Sequence, residues 1–181
     1  MTSSAIRTAL LLLAAIWAAS LLGFTSVELR HTLALVPRDL WHLHGILTMP
    51  FVHGDWAHLL ANSVPLAILL ALVRMQAGRR FWPAIVLTAL GGGLALWLIG
   101  RYGSHVGASG LLFGLLGLLL GWTWFQRTLR ALSIAGLVML VYGSLLWGVL
   151  PAGGQVSWEG HLCGLVAGFL VSRWVPTPAP S

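Results

Sequence analysis

Charged residues are scarce in this chain of 181 amino acids, and lysine is absent. Only 8% of the residues are charged, all ten basic residues are arginine, and the four acids are Glu28, Asp39, Asp55 and Glu159. A soluble domain uses roughly 25% charged residues to cover its surface. Together with 58% hydrophobic residues and a mean hydropathy of +0.90, this scarcity predicts an all-α protein that crosses a membrane several times.

The single cysteine and the dispersed arginines exclude further classes. Cys163 has no partner within the chain, so an intramolecular disulfide framework is excluded. The formal charge of +6 comes from scattered arginines without a basic, aromatic-rich stripe, and nucleic acid is therefore not expected as a partner. No two carboxylates lie within apolar stretches, which argues against an aspartyl protease of the membrane.

A metal site is the competing interpretation of the seven histidines. The sequence has no HExxH motif, and a zinc protease needs an acidic ligand or base beside its histidines. His31, His42, His44 and His53 lie in one interfacial segment without ligand spacing, and His105 is expected to be a solvated interface residue. We therefore predict no metal and no other cofactor.

Six apolar stretches approach the roughly 20 residues needed to cross a bilayer. Their predicted bounds are 9–27, 57–73, 81–100, 108–125, 131–150 and 160–175. They form a single predicted domain over 1–175, followed by a disordered tail at 176–181. The first stretch could instead be a signal peptide cleaved near Ser20, but its apolar run continues to Val27, which favours a membrane span.

The arginines indicate how the six spans are oriented. Seven of the ten fall on one side: Arg7, Arg74, Arg79, Arg80, Arg127, Arg130 and Arg173. All four acids fall on the other. The positive-inside rule then predicts that both termini are cytoplasmic, in the inner or plasma membrane of a cell. The same topology places three polar groups, at His58, Ser109 and His161, near the outer face.

Ser109 and His161 are the candidate nucleophile and base. Ser109 lies between small residues at the start of an apolar run, where backbone N–H groups could stabilise an oxyanion. A serine needs a base to take its proton, and His161 begins another span on the same face. Gly164 and Gly168 would draw the two helices together. No acid lies deep in any span, so the sequence favours a dyad over a triad.

Less specific interpretations exist for each of these residues. Ser109 could simply ease helix packing, and His161 could be an interfacial anchor. His58 and Asn62 lie on one helix face, where their N–H groups suit a developing oxyanion. They could also tie down the connection 28–56, which we expect to form short interfacial pieces.

At this point the chain resembles the rhomboid intramembrane serine proteases. The resemblance is carried by three motifs in order: H-x-x-x-x-H-x-x-x-N from His53 to Asn62, G-x-S-G at Ser109, and H-x-x-G-x-x-x-G from His161. It implies a compact six-helix bundle with a Ser109–His161 dyad in a cavity that opens outward.

The resemblance also implies the remaining site residues. It assigns an oxyanion and substrate-binding site to His58, Asn62, Gly107 and the Ser109 amide, and it places Phe113 against the catalytic histidine. The segment 151–157 would form a mobile cap. The implied activity is endoproteolysis of single-span membrane proteins, near the outer membrane face and without a cofactor.

Two other classes compete with the protease. A catalytically silent member of the family would bind membrane clients, although such a protein would normally have lost the serine or the histidine. A small transporter would line a substrate path with polar residues, but transporters often contain internal repeats and unwound midspan helices. No convincing repeat is present, and the polar groups cluster at one face. The sequence names neither the natural substrate nor the oligomeric state.

Overall fold

The computed structural model describes residues 3–151 and 156–178 of the chain. Within these residues the chain forms six long helices and two short ones. The long helices are α1 (Ser3–Thr25), α4 (Trp56–Ala77), α5 (Phe81–Ile99), α6 (Ser109–Gln126), α7 (Leu129–Tyr142) and α8 (Trp158–Trp174). The short helices α2 (Val27–Leu33) and α3 (Gly45–Thr48) lie in the long connection between α1 and α4.

The helical membrane bundle predicted from composition is confirmed. Among the residues that the structure describes, four helical stretches are long and apolar enough to cross a membrane: Ser3–Thr25, Trp56–Ile99, Ser109–Gln126 and Leu129–Val149. The second has 44 residues and contains both α4 and α5. Helix α8 has 17 residues and is not among the four. The number of six crossings therefore stays a prediction.

The structure adds detail to two of the predicted segments. Within 131–150, α7 ends at Tyr142 and a 3₁₀ segment, Gly143–Val149, follows it. Two glycines in this segment lower its helix propensity. At the start of the predicted tail, the Pro176 carbonyl accepts a hydrogen bond from Arg80 and Thr177 pairs with Gln126; the disorder of 176–181 stays a prediction. Residues 179–181 lie outside the described part.

Helices α6 and α8 form the tightest pair in the bundle. A Cβ atom added to Gly164 would overlap the Gly110 carbonyl oxygen, and one added to Gly168 would overlap the Gly114 carbonyl oxygen. Only glycine permits this approach, because any side chain would push the two backbones apart. The GxxxG pair therefore holds the helix of His161 against the helix of Ser109, as its spacing predicts.

Hydrogen bonds between elements define two ends of the bundle. At one end, Trp122 Nε1 donates to the Val175 carbonyl (2.8 Å) and Arg130 donates to the Met75 carbonyl (2.9 Å). At the other, Ser20 near the end of α1 donates to the Phe51 carbonyl (3.0 Å). We call the second one the site end, because α4, α6 and α8 all begin there.

Candidate active site

A cavity of about 1110 Å³ lies at the site end of the bundle. Five of the residues selected from the sequence line it: His58, Asn62, Ser109, Phe113 and His161. They come from the first two turns of α4, α6 and α8, since a helix that begins at this end presents its first residues to the cavity. The structure thus brings together residues that lie up to 103 positions apart in the chain.

Ser109 is the first residue of α6. Within the described residues, no acceptor pairs with its backbone N–H, and the residue before it provides no side-chain cap. The free N–H groups and the helix dipole at this position favour a negative charge. The Ser109 hydroxyl is therefore next to a donor that could bind an oxyanion.

His161 is buried and held on two sides. Its Nδ1 lies 2.9 Å from the carbonyl oxygen of Gly148, and its ring stacks on Phe113 at a centroid distance of 4.2 Å and an interplanar angle of 8°. A carbonyl can only accept, so Nδ1 carries the proton and Nε2 of the neutral ring is left as an acceptor.

Ser109 Oγ and His161 Nε2 do not hydrogen-bond to one another in this structure, nor to other described residues. In the absence of substrate, catalytic hydrogen bonds are often long and tighten when the reactants are bound. What the geometry provides is a hydroxyl and an imidazole acceptor on the wall of one cavity, carried by two helices whose backbones are in contact.

His58 and Asn62 are positioned differently within α4. The Asn62 amide donates to the His58 carbonyl (2.9 Å), which uses one of its two N–H groups and leaves the second for the cavity. The His58 ring packs edge-on against the His53 ring, with 5.0 Å between the ring centroids. Among described residues, none hydrogen-bonds to the ring nitrogens of His58, so they are available to a substrate oxygen.

Gly107, the remaining residue predicted for the oxyanion and substrate-binding site, lies behind His58 in the structure. Its backbone N–H donates to the Met49 carbonyl (3.0 Å), and the residue is buried outside the cavity lining. Its φ of +112° strongly favours glycine, and an added Cβ would overlap the His58 ring. Gly107 therefore supports His58 and has no N–H to offer a substrate.

His53 is a residue whose position the sequence reasoning missed. It is fully buried, with Nδ1 2.9 Å from Ser20 Oγ and Nε2 accepting the Ala108 N–H at 3.2 Å. Burial lowers the pKa of His53 to about 4; neighbouring His58 adds to the lowering, while Asp55 opposes it. Neutral His53 thus links α1 to the turn that precedes Ser109. The first position of the H-x-x-x-x-H-x-x-x-N run was the signal for it.

A second polar cluster borders the cavity at the start of α8. Arg101 forms an ion pair with Glu159 at 3.1 Å and also donates to the Val156 carbonyl. His105 is buried rather than solvated, with Nδ1 2.7 Å from Ser157 Oγ and Nε2 3.0 Å from the Arg101 carbonyl.

This cluster connects the α5–α6 loop to the end of the predicted cap 151–157, of which residues 152–155 lie outside the described part. It also contains a serine–histidine hydrogen bond at the cavity wall, between Ser157 and His105. Ser157 Oγ is already used as the N-cap of α8, where it accepts the Gly160 N–H at 3.1 Å. We therefore interpret the Ser157–His105 contact as structural.

A helical membrane bundle with a polar cavity at one end is the class of protein that the fold defines. The sequence profile of the rhomboid domain matches residues 37–176. The chain is 41% identical over 146 residues to an uncharacterized protein of Mycobacterium tuberculosis, covering 75% of this chain and 60% of that protein. This chain belongs to the rhomboid family.

Other relatives carry the family name. RHOMBOID-like protein 1 of Arabidopsis thaliana is 33% identical over 160 residues, 83% of this chain and 40% of that protein. A putative rhomboid protein of Acanthamoeba polyphaga mimivirus is 32% identical over 140 residues, 75% of this chain and 77% of its own length. The chain spans about 60% of the length of the mycobacterial relatives that it matches.

Proposed function

We propose that this chain is an intramembrane serine endopeptidase that cleaves membrane-spanning segments with Ser109 as nucleophile and His161 as base. One observation carries the proposal: both residues line the same cavity, and the Gly148 carbonyl binds the Nδ1 side of His161, leaving Nε2 to accept a proton. Family membership supports the same activity.

The reaction follows from these positions. His161 Nε2 takes the Ser109 proton while Oγ attacks the substrate carbonyl, and the Ser109 N–H, Asn62 and His58 stabilise the oxyanion. The intermediate collapses when His161 gives the proton to the leaving amine. Water then enters in place of the amine and attacks the acyl-enzyme as His161 takes its proton; His161 returns this proton to Ser109 Oγ when the ester bond breaks and the acid leaves, and no cofactor takes part.

The substrates are single-span membrane proteins with a helix-breaking segment near the outer face, since an intact helix protects its carbonyls by hydrogen bonding. The family resemblance suggests sideways access between α4 and α7. The low burial of α7 supports this route: 11% of the most apolar part of Leu129–Val149 is buried, against 56% for α6.

The protein lies in the cell membrane with both termini cytoplasmic, and the arginine distribution supports this orientation.

The test uses the full chain reconstituted in liposomes, a fluorophosphonate probe and a single-span test substrate. Ser109→Ala and His161→Ala are each expected to abolish probe labelling and cleavage while the protein remains folded. Ser157→Ala is the matched control, because this serine lines the same cavity and hydrogen-bonds to a histidine there, and it should retain labelling.

Each alternative has its own outcome. If labelling persists in Ser109→Ala and is lost in Ser157→Ala, the nucleophile is Ser157 and the proposed role of Ser109 is wrong. A folded, unsubstituted protein that neither reacts with the probe nor cleaves, yet retains the substrate, would be a silent client-binding member. Transport of a solute by the same liposomes, independent of Ser109, would favour the transporter.

A further inference from the structure

The 3₁₀ segment Gly143–Val149 brings a main-chain oxygen to the imidazole of His161. The Gly148 carbonyl lies 2.9 Å from His161 Nδ1, on the edge of the ring that Phe113 supports by stacking. Stacking on Phe113 thus fixes the tilt of the His161 ring, and the contact with the Gly148 carbonyl fixes its rotation. Neither contact involves a charged group.

Position 148 lies close to both rings. A Cβ atom there would lie 3.1 Å from Phe113 Cζ and 3.2 Å from His161 Nδ1, which is tighter than ordinary van der Waals contact. An alanine at this position would therefore shift one of the two rings or the 3₁₀ segment by a few tenths of an ångström. At Gly143, in the same segment, a Cβ would meet only the Met139 methyl group at 3.4 Å.

No carboxylate takes this place among the described residues. Glu159, two positions before His161, directs one carboxylate oxygen to Arg101, and the other has no hydrogen-bond partner in the described part of the chain. The only hydrogen bond that a described residue makes to the His161 ring comes from position 148. In serine hydrolases with a triad, the third group fixes the histidine tautomer and stabilises the imidazolium that forms.

We propose that the Gly148 main-chain carbonyl is the orienting partner of His161 and occupies the place that a carboxylate has in a triad. This inference rests on the proposed function of His161 as the base. The carbonyl selects the tautomer with Nδ1–H and keeps Nε2 as the proton acceptor. Because Gly148 lies in the 3₁₀ segment Gly143–Val149, which has no fully buried residue, the position of the base depends on the segment that follows α7.

The test compares three glycine variants of the full chain in liposomes. Gly148→Ala disturbs the contact with His161, whereas Gly143→Ala and Gly136→Ala do not, since an added Cβ at Gly136 meets nothing within 4 Å. Loss of one hydrogen bond to the base predicts that Gly148→Ala lowers the rate of fluorophosphonate labelling about tenfold. The two controls should stay within about twofold, and thermal unfolding in detergent should show that all three remain folded.

A second measurement does not depend on activity. Nitrogen NMR of ¹⁵N-histidine-labelled protein, with the His161 signals assigned by their loss in His161→Ala, should find Nδ1 protonated and Nε2 bare. In Gly148→Ala the two tautomers should mix. Labelling of Gly148→Ala at the rate of the controls, or a His161 ring with its proton on Nε2 in the unsubstituted protein, would overturn the inference. An unsubstituted protein that never labels would instead count against the proposed protease, and the tautomer measurement would still decide the role of Gly148.

Discussion

The α6–α8 pair and the arm formed by α7 with Gly143–Val149 hold different parts of the site in different ways. The pair carries Ser109 and His161 on backbones that touch through Gly110, Gly114, Gly164 and Gly168. The arm has few buried residues; Ser144 and Leu145 line the cavity, and the Gly148 carbonyl contacts His161. Under the proposed function, bonds form at the α6–α8 pair and a substrate helix enters past the arm. We therefore predict that the pair behaves as a fixed half of the bundle and the arm as a loose half.

The largest effect is expected from breaking the fixed half. Gly168→Ala places a methyl group on the Gly114 carbonyl, and we predict a loss of about 3 kcal/mol in the free energy of unfolding, because the two backbones must separate. Gly136→Ala in α7 is the matched control and should change the free energy of unfolding by less than about 1 kcal/mol. Thermal unfolding in detergent measures both. Equal effects at the two positions would contradict the division into a fixed and a loose half.

The fixed half extends to α1 through His53, and pH should reveal this connection. The folded-state pKa of about 4 lies below the usual value of about 6.5, so the unfolded chain binds a proton more readily between these values. The contribution of neutral His53 to the free energy of unfolding is therefore fully present above pH 6.5 and is lost as the pH is lowered. We predict a loss of about 2 kcal/mol between pH 7 and pH 5.

His53→Gln is the control for this pH dependence. Glutamine can still accept from the Ala108 N–H but does not titrate, so the variant should lose most of the slope even if it is less stable overall. An unchanged slope in His53→Gln would assign the pH dependence to other groups. Chemical denaturation followed by tryptophan fluorescence at each pH provides the measurement.

A smaller effect is expected from the ion pair that joins the start of α8 to the loop before α6. Arg101 and Glu159 lie 3.1 Å apart, with the arginine side chain 42% exposed and the glutamate 8% exposed. A double-mutant cycle of Arg101→Gln and Glu159→Gln should give a coupling of about 1 kcal/mol in the free energy of unfolding. The coupling should weaken in 1 M salt. A coupling near zero at low salt would mean that the Arg101–Glu159 ion pair does not contribute to the stability of the fixed half.

The sequence predicted much of the fixed half and little of the loose half. The spacing of Gly164 and Gly168 below His161 predicted which helices meet, because small residues at helical spacing directly determine how closely two backbones approach. The Gly148 contact could not be predicted, since a main-chain carbonyl has no residue-type signature and the two glycines of Gly143–Val149 lower helix propensity without specifying a 3₁₀ geometry. The Arg101–Glu159 pair was missed for a related reason: 58 residues separate them, and only the packed bundle makes them neighbours.

The smallest effect on stability, and the sharpest contrast in function, is expected where the arm meets α4. Arg130 at the start of α7 donates to the Met75 carbonyl at 2.9 Å on an exposed surface, so Arg130→Ala should cost no more than about 0.5 kcal/mol in the free energy of unfolding. Removing this link frees the inner end of the arm, and we predict that cleavage of a single-span substrate becomes about twofold faster. Fluorophosphonate labelling should not change, because the small probe does not need the arm to move. A parallel change in labelling and cleavage would mean that Arg130 acts on the fixed half, since only the chemistry at Ser109 is common to both assays.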